Sequence, residues 1–478
     1  MRRAYHVEAI RHAEADLMAK LPPGALMQRA AAGLATVATR ILREDGGVYG
    51  ARVVLLVGVG DNGGDALYAG AMLARRGAKV TAVLTDEVRV HAGGLAALRE
   101  AGGRIGGAET LEDADLILDG LLGIGGKGGL RGRAAELGKA AEASGAPILA
   151  VDLPSGIDVD SGQVAGVCVK ADVTVTFGAY KPGLLIDPAA ERAGVVEFVD
   201  IGLTALPERA AVEALQAADV ADLLPRPGRE SDKYARGVVG VACGSVDYPG
   251  AGMLAVGGAL KAGVGAVRYS GPRRVGDEVS RRWPEILIEK ELPGDAGRVQ
   301  AWVCGSGFPV DDDFAAERTK QVIASGHPAV LDAGALGYLD GAELSERVVL
   351  TPHAGEAARL LGVERSDVEA RRLEFVRRLA GERGATVLLK GSTTLIAQPG
   401  GETVRANPTG TAALATAGSG DVLAGLIGGL LAAGLRPLDA ASVGAYLHGL
   451  AGRIARGEGP IAAGDLLAAL PHAWHNLQ

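Results

Sequence analysis

The chain is poor in aromatic residues, which make up 4% of its 478 positions, and it holds three cysteines. Cys168, Cys243 and Cys304 lie far apart, so they form no metal-ligand spacing and point to no disulfide framework, which fits a reducing compartment. Positive charge is not in excess: the net charge is −8, which argues against nucleic acid as a partner. Arg2 and Arg3 are followed by further charged residues and no apolar segment, so no signal peptide is expected. The longest apolar stretch, Val422 to Leu435, is too short and too broken by glycine to span a membrane. A cytoplasmic protein is therefore expected. Glycine, by contrast, is abundant at 73 residues, and the 48% apolar content is ample for sizeable cores.

A chain of this length predicts two or three domains. Helical periodicity covers Glu8 to Leu42 and breaks at Pro22-Pro23-Gly24. Strands are then predicted at Arg52 to Val57, Lys79 to Thr85, Leu116 to Asp119, Ile148 to Asp152 and Val173 to Phe177, alternating with helices. A second series begins at Gly237 to Val241 and continues at Ala301 to Cys304, Ala329 to Asp332, Val348 to Thr351 and Thr386 to Lys390. Such alternation predicts mostly parallel sheets with crossover helices, and ligands at the carboxyl ends of the strands. The polar, Pro-containing stretch Leu203 to Arg229 is the expected junction. It divides the chain into residues 1–208, a linker 209–224, and residues 225–478.

In the first half, Gly58-Val59-Gly60-Asp61-Asn62-Gly63-Gly64-Asp65 joins a strand to a helix and matches the dinucleotide fingerprint G-x-G-x-x-G, with Asp86 ending the next strand. Asp61 and Asp65, however, would compete with a pyrophosphate at the helix N-terminus, and fit better with a cation or with acid–base chemistry. Asp119 ends another strand and leads into a glycine-rich run to Gly129, whose backbone N–H groups suit an anion. Asp152 ends a third and leads into Leu153-Pro154-Ser155-Gly156. Asp65, Asp119 and Asp152 are thus delivered to one rim, where Asn62 and Ser155 can add oxygens around a hard cation. The bland alternative is that each Asp only caps a turn.

These three segments resemble the motifs of the NAD(P)H-hydrate epimerase family over about residues 1 to 205. The resemblance implies a Rossmann-like three-layer αβα domain, with potassium held by Asn62, Asp119 and Ser155. It implies a hydrate site lined by Asp61, Asn62, Gly63, Gly64 and Asp65, by Gly123, Ile124, Gly125, Gly126, Lys127, Gly128 and Gly129, and by Asp152. Asp65 and Asp152 are the candidates for proton transfer. The family usually has Asn-Asn-Gly-Gly-Asp-Gly where this chain has Asp61 and Ala66 at the two ends, so Asp61 adds charge and Ala66 adds a Cβ where backbone approaches ligand.

In the second half, Thr416-Ala417-Gly418-Ser419-Gly420-Asp421 opens an apolar helix. The N–H groups of Gly418 to Asp421 would form an anion hole for a phosphoryl group, and Asp421 would take a proton from the attacking hydroxyl. The alternative is an ordinary cap on a core helix. Lys390-Gly391-Ser392-Thr393-Thr394 offers a cation, hydroxyls and amides to a nucleotide phosphate, or is an ordinary hairpin turn. No Walker A spacing is present, so a P-loop fold is not expected. His353 stands at a strand end beside Gly355 and Glu356 and reads as a ligand residue.

Together these motifs resemble the ADP- or ATP-dependent NAD(P)H-hydrate dehydratases over about residues 225 to 478, which implies a ribokinase-like αβα domain. Ala251, Gly307, His353 and Asp421 would contact the hydrate. Lys390, Gly391, Ser392, Thr393, Thr394 and Gly420 would hold the adenine nucleotide, with magnesium. The family tends to have Asp-Ala-Asp where this chain has Asp332-Ala333-Gly334, so Asp332 or Glu356 is expected to compensate. The combined resemblance implies repair of NADHX and NADPHX by epimerisation of the R and S forms and dehydration of the S form, with ADP favoured over ATP, in a homo-oligomer. Three other readings compete: a dehydrogenase using the first Gly-rich turn, a vitamin-type small-molecule kinase, and a nucleotide-sensing module with a degenerate site.

Overall fold

The computed structural model describes residues 1–477 apart from 45, 127, 227, 291 and 458. The chain divides into two compact units, one formed by Arg3–Val212 and the other by Met1–Arg2 with Glu213–Gln478.

In the first unit seven strands form one parallel sheet in the order Arg104–Ile105, Lys79–Leu84, Arg52–Val57, Leu116–Gly120, Ile148–Val151, Val173–Phe177, Val195–Val199. The central strands are buried on both faces, which is why they are runs of Val, Leu and Ile rather than alternating patterns. One core lies on each side of the sheet. Numbered along the chain, the strand order is 3-2-1-4-5-6-7. It reverses between Arg52–Val57 and Leu116–Gly120, and a crevice opens at such a reversal, beyond the carboxyl ends of the strands. The expected helical stretch is two helices, Val7–Met18 and Ala25–Glu44, interrupted as the Pro-Pro-Gly sequence dictates.

The second unit repeats the plan. From Leu287–Ile288 the sheet passes through Ala266–Tyr269, Val238–Ala242, Ala301–Cys304, Ala329–Leu331 and Val348–Leu350 to Thr386–Leu389, all parallel. Thr394–Ala397 and Val404–Asn407 then add antiparallel. The order again reverses, between Val238–Ala242 and Ala301–Cys304. The short segments Val212–Ala214 and Arg2–Ala4 complete the edge. Residues 209–224, read above as a linker, contain the strand Val212–Ala214 and the helix Ala217–Leu223, because Leu215, Val220 and Leu224 are apolar residues that belong to the core of the second unit.

The apolar stretch after Asp421 is the helix Ser419–Ala432, buried from Val422 onward. It packs on the helix Pro249–Lys261 at backbone distance: a Cβ on Gly425 would lie 2.0 Å from the carbonyl oxygen of Ala255, and one on Gly258 would lie 2.2 Å from that of Val422. The helix that carries Asp421 is therefore fixed on a rigid support. All three cysteines are buried and unpaired. Among the described residues no helix is long and apolar enough to cross a membrane.

Candidate active sites

In the first unit, glycine is required where the chain turns at the sheet reversal. A Cβ on Gly58 would lie 1.9 Å from the carbonyl oxygen of Leu121, and one on Gly63 would lie 2.3 Å from that of Gly58. This close approach brings the start of the helix Asp61–Arg75 against the end of the strand Leu116–Gly120. Ala66 points inward rather than toward ligand: it is fully buried, facing Gly120.

Asn62, Asp119 and Ser155 come together at the backbone of Leu122. Asn62 Nδ2 donates to the Leu122 carbonyl at 3.1 Å, and Leu122 N donates to Ser155 Oγ at 2.9 Å. Asp119 accepts from Ser155 Oγ at 2.7 Å, from Ser155 N at 2.8 Å and from Leu121 N at 3.3 Å. Burial raises its carboxyl to about 6, opposed by the bonds from Ser155. One carboxylate among neutral oxygens suits a monovalent cation. Among the described residues no group of three or more His, Cys, Asp and Glu is gathered for a metal ion.

Asp65 and Asp152 occupy contrasting environments. Asp65 Oδ1 is buried without a hydrogen-bond partner. Its carboxyl is held well above the usual range, first by burial and then by the charges of Asp152, Asp61 and Glu14. Asp152 has φ +66°, a left-handed conformation that Asp tolerates better than most residues. Its carboxylate pairs with Lys181 and accepts from Phe177 N at 3.1 Å and Thr176 Oγ1 at 3.3 Å. Lys181 is almost fully buried and also donates to Thr176 Oγ1 at 2.9 Å and the Phe177 carbonyl at 3.1 Å. The rim thus holds an acid whose carboxyl burial raises, together with a lysine-paired carboxylate.

Lys181 and Glu14 escaped the sequence reading. Lys181 follows the strand Val173–Phe177 by a few residues, so the rule that ligands sit at strand ends pointed at its segment. Glu14 comes from the first helix, far away in sequence, and its carboxyl is raised by burial and then by Asp152. Beside the loop Gly123 to Gly126, Ile124, Gly125 and Gly126 help line a cavity of about 490 Å³, with Arg11 and His12 across from them. Lys127 lies outside the described residues. Gly129 packs on the backbone of Ala165 and Gly166, leaving no room there for a side chain. Asp86, which ends the next strand, is half-buried and bonded to Arg89 and Val88 in its own turn.

In the second unit the strand ends supply one polar network. Asp332 accepts from Ser306 Oγ at 2.9 Å, from Thr351 Oγ1 at 2.8 Å and from Lys390 Nζ at 3.0 Å. Glu356 lies 3.8 Å from the same ammonium. Both candidates for compensation thus meet Lys390. At Gly334 an aspartate has no room in this conformation, because a Cβ there would lie 2.6 Å from that of Phe308. Lys390 also reaches the turn at Asp421: its ammonium lies 3.5 Å from where Gly420 would carry a Cβ. Asp421 sits in the first turn of its helix, with Gly418 left-handed at the N-cap. Burial and the charge of Asp332 raise its carboxyl to about 7, opposed by Lys390 and a hydrogen bond to Ser306. Ser306 therefore links Asp332 to Asp421. The sequence reading names its neighbour Gly307 and passes over Ser306.

Ala251 and Gly307 touch, with the Ala251 Cβ 2.6 Å from the position of a Cβ on Gly307, whose φ is +73°. His353 caps the helix Ala354–Leu361, accepting at Nδ1 from Gly355 N at 3.0 Å and Glu356 N at 3.2 Å. Burial lowers its pKa, and Nε2 lies 3.6 Å from Glu356 Oε1. Lys390 to Thr393 form the turn of the antiparallel hairpin Thr386–Leu389 and Thr394–Ala397, so that hairpin and phosphate-facing segment are the same element.

Two doubly wound α/β units, each with carboxylates and glycine turns at its sheet reversal, define an enzyme with two separate active sites. A family model described as NAD(P)H-hydrate dehydratase matches residues 239–471, and one described as YjeF-related protein N-terminus matches residues 23–183. The chain is 48% identical to the bifunctional NAD(P)H-hydrate repair enzyme Nnr of Mycobacterium leprae, over 94% of this chain and 93% of that one. It is 36% identical to the enzyme of the same name from Moorella thermoacetica, over 99% and 97%. Among solved structures, the ADP/ATP-dependent NAD(P)H-hydrate dehydratase of Bacillus subtilis, co-crystallised with ATP/Mg2+, matches with TM-score 0.50 and 30% identity, covering 55% of this chain and 98% of that one. The chain belongs to the family of bifunctional NAD(P)H-hydrate repair enzymes.

Proposed function

We propose that this chain repairs hydrated NADH and NADPH in the cytoplasm, epimerising the hydrate in its first unit and dehydrating the S form in its second, with ADP as the favoured phosphate donor. The observation that carries this is the likeness, over nearly the whole length, to enzymes that bear both activities in their name.

In the first site Asp65, whose carboxyl burial raises, donates a proton to the hydroxyl on the carbon beside the ring nitrogen, and water departs. The ring nitrogen's lone pair stabilises the cation left behind. Water returns to the opposite face, with the Lys181-paired Asp152 accepting its proton. Asn62, Asp119 and Ser155 would hold potassium, which would steady the loops that carry these acids.

In the second site Asp421 removes the proton from the hydrate's hydroxyl, and that oxygen attacks the terminal phosphorus of the nucleotide. With ADP the bond to AMP breaks. Phosphate is a far better leaving group than hydroxide, and the ring nitrogen's lone pair expels it. Loss of a proton from the adjacent carbon restores the reduced nicotinamide. Lys390 and the N–H groups of Gly418 to Asp421 stabilise the transferring group. Magnesium bound to the nucleotide would neutralise its phosphates; Asp332 and Glu356 already serve Lys390.

Incubating the enzyme with both hydrate epimers and ADP or ATP, while following the absorbance of reduced nicotinamide and free phosphate, tests the reading. Full recovery of cofactor from both epimers, with one phosphate per cofactor, is expected. A stable phosphorylated product would instead identify a kinase.

A further inference from the structure

Beneath the hairpin turn at Lys390 lies a buried cation. Arg372 opens the helix Arg372–Arg383 and is 6% exposed. One of its nitrogens, Nη2, donates to the carbonyls of Leu389 at 3.3 Å, Lys390 at 3.0 Å and Thr393 at 3.2 Å. These carbonyls belong to both limbs of the turn, so one guanidinium ties the start of the turn to its end.

The consequence follows from peptide geometry. A trans peptide sets its N–H opposite its C=O. With the Lys390 carbonyl turned to Arg372, the N–H of Gly391 is directed away from it. Gly391 also makes room for the guanidinium. A Cβ there would lie 2.3 Å from Nη2 and 2.7 Å from Cζ, and φ at Gly391 is not in the left-handed region, so the arginine is what excludes a side chain. A free arginine would swing aside; this one is held by the carbonyls it binds.

We propose that Arg372 is a positioning residue of the nucleotide subsite: by binding the Lys390 carbonyl it turns the Gly391 amide to the nucleotide phosphates, and by tying both limbs of the turn it sets a second positive charge beneath them. This rests on the reading that residues 390–394 hold the nucleotide. Arg372 and Gly391 are not among the residues assigned above to the hydrate.

The test uses the full-length enzyme with three single variants and one double. Arg372→Lys keeps the charge and loses the fork, and is expected to raise KM for ADP and ATP about ten- to a hundredfold, the range expected for a lost charged hydrogen bond. KM for the hydrate and the epimerase rate stay unchanged. Gly391→Ala displaces the same guanidinium from the other side and is expected to do the same. The double variant should lose less than the product of the two effects, because both break one arrangement. A folded Arg372→Lys or Gly391→Ala enzyme with unchanged nucleotide KM overturns the proposal, as do effects that multiply in full. Lys390→Ala separates the two levels. If it too leaves nucleotide KM unchanged, the nucleotide reading of the turn fails. If it alone impairs binding, only the positioning role of Arg372 fails.

Discussion

Asp421 carries a carboxyl that burial and Asp332 raise to about 7 from an ordinary value of 3.8. A base must be ionised to act, so dehydration should rise with pH through about 7 and level off above it, as single-turnover rates between pH 5.5 and 8.5 would record. The same shift acts on stability in the opposite sense. A carboxyl whose pKa is raised on folding favours the folded state at low pH, and that contribution is lost as pH rises from about 4 toward 7. Asp421→Asn removes the penalty along with the base. It should melt higher than the parent at pH 8 and no higher at pH 4, while dehydration falls about a hundred- to ten-thousand-fold and epimerisation persists. Near-normal dehydration in this variant would refute the assignment. For the first site, Asp119→Ala should slow epimerisation, abolish its response to potassium and leave dehydration intact. An epimerase equally active in sodium and in potassium would remove the cation from the proposal.

At the scale of elements, the two helices packed at Gly425 and Gly258 decide how firmly Asp421 is held. Gly425→Ala drives a methyl into the Ala255 carbonyl and should destabilise the second unit by about 1–3 kcal/mol in urea unfolding, with lowered kcat even where the protein stays folded. The central strands were legible because strands buried on both faces must be apolar runs, as Arg52–Val57 and Ile148–Val151 are. Edge strands such as Arg104–Ile105 and Leu287–Ile288 were not, since two exposed residues make no pattern. Site residues that end strands or sit in glycine turns were likewise legible. Glu14 was missed because only tertiary folding brings its helix to the rim. Arg372 was missed because nothing local separates it from Arg371, Arg377 and Arg378 in the same arginine-rich stretch. Whether a side chain binds carbonyls or water is settled by burial.

At the scale of the molecule, the division after Val212 gives the separate activities a physical basis. A fragment of residues 209–478 should fold and dehydrate one epimer alone. One beginning at residue 225 should be less stable, since it lacks Leu215, Val220 and Leu224 of the same core; equal melting temperatures would contradict this. The cysteines distribute themselves across the same division. Cys168 belongs to the first unit, and Cys243 and Cys304 to the second. Burial raises each thiol pKa, that of Cys304 to about 11, and a thiol reagent attacks only an accessible thiolate. The folded enzyme should therefore be silent to such a reagent, and each modification should time an opening event. Because the labels separate by peptide mass, one experiment clocks both halves: modification at Cys168 ahead of the other two would mean that the epimerase half opens first.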